Sequence, residues 1–169
     1  MAGFVLSARS QVKLEGVHPF LVRVAEVAIT LTRQDFAVHD GVRSEAQQRA
    51  MVNSGASKTM DSKHRKQGDG MGHAIDLVPF INGQLRWEWR PIFQIAAAVQ
   101  RAAAIVNVER LDAGKDAKRL RWGGVWDLNF AVLGMEPDDI EDAVNDYVAR
   151  RRAAGKRVFI DGPHFEIAA

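Results

Sequence analysis

Apolar positions recur at helical spacing in several stretches and alternate with polar ones in shorter stretches between them. Leu21, Val24, Ala25, Ala28 and Leu31 fall on one stripe, which predicts a helix over His18–Leu31 with Pro19 in its first turn. Ser44-Glu45-Ala46-Gln47 has the form of a capping box, so a helix should run from Glu45 to about Val52. Pro91 opens a long helix to about Ile105, with Ile92, Ile95, Val99 and Ala102 or Ala103 buried. A last helix is expected over Pro137–Ala154. Its first turn is acidic (Asp138, Asp139), its last turn basic (Arg150, Arg151, Arg152), and Gly155 ends it.

Strand patterns cover Asp35–His39, Ala74–Val78 up to Pro79, Arg119–Trp126 leading into a loop, Val158–Ile160 and Phe165–Ile167. In the second of these, period-2 geometry sets Ala74, Asp76 and Val78 on one face and Ile75 and Leu77 on the other. Asn82-Gly83 reads as a turn. There is no internal repeat and no regular βαβ rhythm. The expected fold is α+β, a small antiparallel sheet flanked by about three helices, in one domain spanning residues 1–169.

Composition narrows the chemistry. The chain has 169 residues, 47% of them hydrophobic, and a formal charge of +2 from 23 Lys+Arg against 21 Asp+Glu. That balance does not imply nucleic-acid binding. Cysteine is absent, which excludes disulfides and thiolate metal sites and leaves His, Asp and Glu as candidate ligands. The N-terminus has no basic region followed by a long apolar run, and no apolar stretch is expected to span a membrane.

Two distant segments concentrate metal-binding chemistry. One is Ser62-Lys63-His64 running on to Gly72-His73-Ala74-Ile75-Asp76; the other is Asp161-Gly162-Pro163-His164-Phe165-Glu166. Together they offer imidazoles and a carboxylate for a metal, with a spare carboxylate beside it. Three protein ligands and one open position is the stoichiometry of a catalytic zinc site. Asp76 alone would more commonly be a structural aspartate, and His164 alone a satisfied histidine. Gly162-Pro163 breaks the pleat, so that Asp161 and His164 can turn toward one ion.

These segments resemble the zinc peptidases of peptidoglycan stem peptides, which comprise D-alanyl-D-alanine carboxypeptidases and dipeptidases and phage L-alanyl-D-glutamate endopeptidases. The resemblance rests on Ser62-Lys63-His64, Gly72-His73-Ala74-Ile75-Asp76 and Asp161-Gly162-Pro163-His164. Gly41-Val42-Arg43-Ser44 with Gln47 is similar to the family's upstream Arg motif, and Arg121-Trp122-Gly123-Gly124-Val125-Trp126 to a segment of the endopeptidase branch. It implies His64, Asp76 and His164 as ligands of one zinc ion, Asp161 as general base, and Arg43 on the oxyanion or a substrate carboxylate. Ser62, Gln47 and Trp122 would then contact substrate. Glu166 is a rival base or a residue that orients a ligand.

Family members place six residues between the first His and the Asp, whereas eleven separate His64 from Asp76 here. A five-residue insertion within Arg65–Met71 accounts for this; Asp69 and His73 are the alternatives for the first ligand. The stretch 127–160 reads as a helical insertion that need not touch the site. The resemblance implies a monomeric single-domain zinc peptidase with an active-site cleft, without a separate wall-binding domain, membrane insertion or nucleic-acid partner. Its expected activity is L-alanyl-D-glutamate endopeptidase, acting as an endolysin of phages with Gram-negative hosts. It would be held in the host cytoplasm until a separate membrane-permeabilising protein gives access to the wall. The alternatives are a D-alanyl-D-alanine carboxypeptidase and, from another class, a non-catalytic module binding anionic polymer through its basic helix.

Overall fold

The computed structural model describes residues 3–169. Its elements are α1 (Ala8–Lys13), α2 (Pro19–Leu31), β1 (Phe36–Asp40), α3 (Glu45–Asn53), β2 (Ala74–Ile81), β3 (Gln84–Leu85), α4 (Trp89–Asp112), β4 (Leu120–Trp122), a 3-10 turn (Phe130–Val132), α5 (Pro137–Ala153) and β5 (His164–Ile167). The main sheet runs β1-β2-β5-β4, antiparallel throughout, with β3 paired to β2 across the Asn82-Gly83 turn. The α+β expectation holds, with five α-helices rather than about three.

Alternation along the strands divides the sheet into two faces. Ile75, Leu77, Phe165 and Trp122 go into the core, where they meet the α2 stripe and the inner side of α4. Trp122 stacks on Phe165, and both contact Phe130. Asp76 and His164 lie opposite each other in the ladder, as do Glu166 and Arg121, so these four side chains share the other face. A register shift between Val38 and Asp40 sets Asp40 across from Asp76 on the far side of β2.

Several expected boundaries move for identifiable reasons. Strand β2 continues through Pro79 to Ile81. The β2–β5 pairing stops at Asp76 and the β2–β3 pairing covers only Phe80 and Ile81, so the missing N–H of Pro79 breaks no ladder bond. Helix α4 runs on to Asp112 because no breaker intervenes before Gly114, whose φ is +70°. At 24 residues α4 is long and apolar enough to cross a membrane, contrary to expectation, but most of it is buried as a core helix. Val158–Ile160 is not a strand. It follows α5 without a ladder, and the Phe159 carbonyl accepts from Tyr147 Oη. Helix α1, unforeseen, is capped by Ser7, and its buried Ser10 accepts from Val38 N at 3.1 Å, tying it to β1.

Candidate metal centre

His64, Asp76 and His164 converge. Asp76 lies near the start of β2 and His164 opens β5 directly opposite, so the sheet register alone juxtaposes them. His64 comes from a loop and is clamped by the chain around Gly41. Its Nδ1 lies 2.7 Å from the Gly41 carbonyl, and its own carbonyl accepts from Arg43 N at 2.8 Å. Gly41 must be glycine here, since a Cβ would run into the Lys13 carbonyl.

The residues between His64 and Asp76 leave this geometry undisturbed. Lys66 bridges to Gly72, Gln67 N donates to Met71 O at 2.8 Å, and His73 N donates to Lys63 O at 2.7 Å. The extra residues therefore form a closed excursion. Asp69 and His73 are carried away from the cluster and pair with each other at 2.7 Å.

The three inward atoms form a nearly equilateral triangle. His64 Nε2 is 3.1 Å from Asp76 Oδ1, His164 Nδ1 is 3.1 Å from the same oxygen, and the two nitrogens are 3.2 Å apart. Their protonation follows from their outer partners. His64 Nδ1 faces a carbonyl and must donate, which leaves Nε2 a lone pair. His164 Nε2 faces Glu166 Oε2 at 2.8 Å and must donate, which leaves Nδ1 a lone pair. With both rings neutral, two lone pairs and a carboxylate oxygen thus meet, an arrangement that calls for a cation: a metal ion or, in its place, a proton on His164. Donor atoms around a tetrahedral zinc with bonds of about 2.0–2.1 Å are about 3.3–3.4 Å apart, close to this triangle. The donor set therefore fits a metal ion.

Electrostatics agree. Burial disfavours a charged Asp76, but His64 and His164 outweigh it and hold its carboxyl well below the usual range. Burial likewise opposes charge on His164, yet the hydrogen bonds its ring donates to Asp76 and Glu166 push it up to about 10. Without metal, a proton occupies the place of the cation. Glu166 is held low by its bond to His164 and by Arg121 and Lys63, against the cost of burial.

The triad opens into a cleft of about 400 Å³. Asp161 lines it beside His164. Its loop is fixed by Asp161 N donating to Gly123 O at 2.8 Å, Gly123 N to His164 O at 2.9 Å and Trp122 Nε1 to Gly162 O at 2.7 Å. Burial and then the charge of Asp76 push the Asp161 carboxyl up. Arg43 reaches the cleft with every nitrogen engaged: Nε on Asp40, Nη1 on Gln48 Oε1 at 3.2 Å, Nη2 on Asp76 Oδ2 at 3.2 Å. Ser62 lines the cleft and its Oγ accepts from His64 N at 3.2 Å.

Two expected contacts are not brought to the cleft. Gln47 is exposed, and its Oε1 accepts from Ser44 N at 2.8 Å. The capping box that starts α3 already uses this side chain. Gln48, one position further round the helix, is buried against Arg43 and was not anticipated. Trp122 is fully buried in the core. The cleft wall is instead Trp126, tilted against His164 with centroids 5.5 Å apart and stacked on Phe159 at 6.0 Å. Phe159 belongs to the 127–160 stretch, so that stretch does reach the site.

Comparison with known proteins agrees with this geometry. Residues 2–168 match the family described as phage L-alanyl-D-glutamate peptidase. The L-alanyl-D-glutamate peptidase of Escherichia phage T5 is 32% identical over 127 residues, 75% of this chain and 84% of that protein. The crystal structure of the Serratia marcescens L-Ala D-Glu endopeptidase ChiX superposes with a TM-score of 0.66 at 32% identity, over 98% of this chain and 91% of that one. With the extent of these matches, the chain belongs to the phage L-alanyl-D-glutamate peptidase family.

Proposed function

We propose that this protein is a zinc-dependent peptidoglycan endopeptidase that hydrolyses the amide between L-alanine and D-glutamate of the stem peptide, as a phage lysis enzyme. The observation that carries this is the triangle of donor atoms formed by His64, Asp76 and His164 in the cleft. When bound there, zinc supplies Lewis acidity toward a scissile carbonyl and toward water.

The chain's own groups do the rest. Asp161, with its carboxyl raised by burial and by Asp76, takes a proton from the attacking water at a carboxylate oxygen and returns it to the leaving amine. Arg43 contributes fixed positive charge at the cleft, held by Asp40 and Gln48, and steadies the oxyanion as it develops. Glu166 keeps the His164 ring oriented by accepting from Nε2–H. Ser62 stands at the rim as a substrate contact. The basic end of α5 is partly spent inside the chain, Arg150 on Asp127 and Arg151 on the Arg157 carbonyl, which weighs against a polymer-binding module. In the lytic role, access to the wall depends on a separate membrane-permeabilising protein.

The test uses outer-membrane-permeabilised Gram-negative cells and purified peptidoglycan. The protein should clear turbidity, lose that activity on chelation and regain it with zinc. Mass analysis should find peptides beginning at glutamate and glycan that keeps its alanine. Release of a terminal alanine alone would refute the bond assignment, and activity indifferent to chelation would refute the metal.

A further inference from the structure

Resting on the endopeptidase reading, we infer that Arg121, shelved on Trp126, is the specificity-determining residue that binds the free carboxylate of the glutamyl residue on the leaving-amine side of the scissile bond. A glutamyl residue has two carboxyl groups and at most one can continue the peptide, so the substrate carries a carboxylate close to the bond that breaks. The cleft should contain a cation free to receive it.

Four cationic side chains border the cleft: Arg43, Lys58, Lys63 and Arg121. Arg43 has only 9% of its side chain exposed, and all three nitrogens already contact oxygen acceptors. Lys63 reaches Gln67 Oε1 at 3.5 Å, and Lys58 stands on an exposed loop. Arg121 differs from all three. Its guanidinium carbon lies 4.8 Å from the Trp126 ring centre, and its Nε is 3.4 Å from Glu166 Oε1. The ring supports one face and Glu166 faces one edge. Among the described residues, both terminal nitrogens are left without a hydrogen bond, and 48% of the side chain is exposed.

This is a guanidinium fork fixed before substrate arrives, and a fork suits the two oxygens of a carboxylate better than an ammonium does. Trp126 carries the fork 4.8 Å from its ring centre and lies 5.5 Å from the ring of His164, so the fork stands on the same cleft wall as a metal ligand. Arg121 and Trp126 also line a second groove of about 200 Å³ leading away from the triad. The peptide beyond the glutamyl residue has a track there, past the fork.

The test compares two defined stem peptides with the zinc-loaded protein, one with the glutamyl carboxylate free and one with it as the carboxamide. Wild type should prefer the carboxylate by about ten- to a hundred-fold in kcat/KM, the worth of hydrogen bonds to a charged group. Arg121→Gln should bring the ratio to near one, and Arg121→Lys should give an intermediate ratio. Because Arg121 also braces Glu166, either variant can slow both peptides together. The ratio is insensitive to that shared loss, and metal content and circular dichroism verify the variants. A wild-type ratio near one, or an undiminished ratio in Arg121→Gln, overturns the assignment while leaving the endopeptidase reading intact. Failure of wild type to cut either peptide overturns that reading and this inference with it.

Discussion

Two clusters in this molecule are built from the same side chains, two histidines and an aspartate, yet only one presents them to a common point. His64, Asp76 and His164 lie deep in the cleft with their outer nitrogens held by Gly41 and Glu166. His18, Asp69 and His73 lie nearer the surface, with the two rings edge to face at 5.3 Å. There His18 Nδ1 accepts from Phe20 N and caps α2, while His73 Nε2 bonds to Asp69. One nitrogen of each ring is used on a local partner, and among the described residues the remaining donors do not converge with a carboxylate on one point. Residue type therefore does not make a metal site; a site forms where acceptors behind the rings fix the protons outward and leave lone pairs inward.

The largest contrast between the clusters should be in metal content. His164→Ala should bind no stoichiometric zinc by elemental analysis, whereas His73→Ala should bind one ion per chain; equal content in the two would dissolve the distinction. Only the buried cluster has a further carboxylate beside it. Asp161→Asn should keep its zinc and lose about 10²–10⁴-fold in kcat, and full turnover would remove Asp161 from the mechanism. Glu166→Gln probes the outer partner of His164 and should weaken zinc affinity by about 10–100-fold, measured by competition with a chelator.

The pH dependence of zinc binding follows from His164. Its ring, raised to about 10 without metal, carries a proton at neutral pH that zinc must expel. Affinity should rise about tenfold per pH unit between about 7 and 9 and level off above about 10, with one proton released per ion in calorimetry across buffers. A flat profile would mean that the proton is not there. The smallest effect belongs to the surface cluster. His18→Ala removes a cap from α2 and should cost about 1 kcal/mol in denaturant unfolding, with zinc affinity unchanged.

Much of this was legible in the chain, and the exceptions follow a rule. Helices with a capping residue at the start and a periodic apolar stripe, such as α2 and α3, stand where the pattern predicts them. The faces of β2 were equally legible, because alternation alone separates Asp76 from Ile75 and Leu77. The metal triad could be named from its motifs. What supports it could not, since those partners depend on tertiary approach: the Gly41 carbonyl behind His64, Gln48 behind Arg43, Phe159 against Trp126. Gln47 is the instructive case. The capping box and the upstream Arg motif both claim it, and its amide oxygen is taken by Ser44 N at the helix start.

The hairpin between the first two ligands has a practical consequence. Lys63 and His73 pinch its neck through a backbone hydrogen bond, and the turn beyond, around Gly68 and Gly70, projects into solvent. Ligand spacing along the chain is thereby uncoupled from ligand spacing in space. A peptide tag or an affinity module grafted at that turn should travel with the enzyme as a passenger, its length invisible to the ion below.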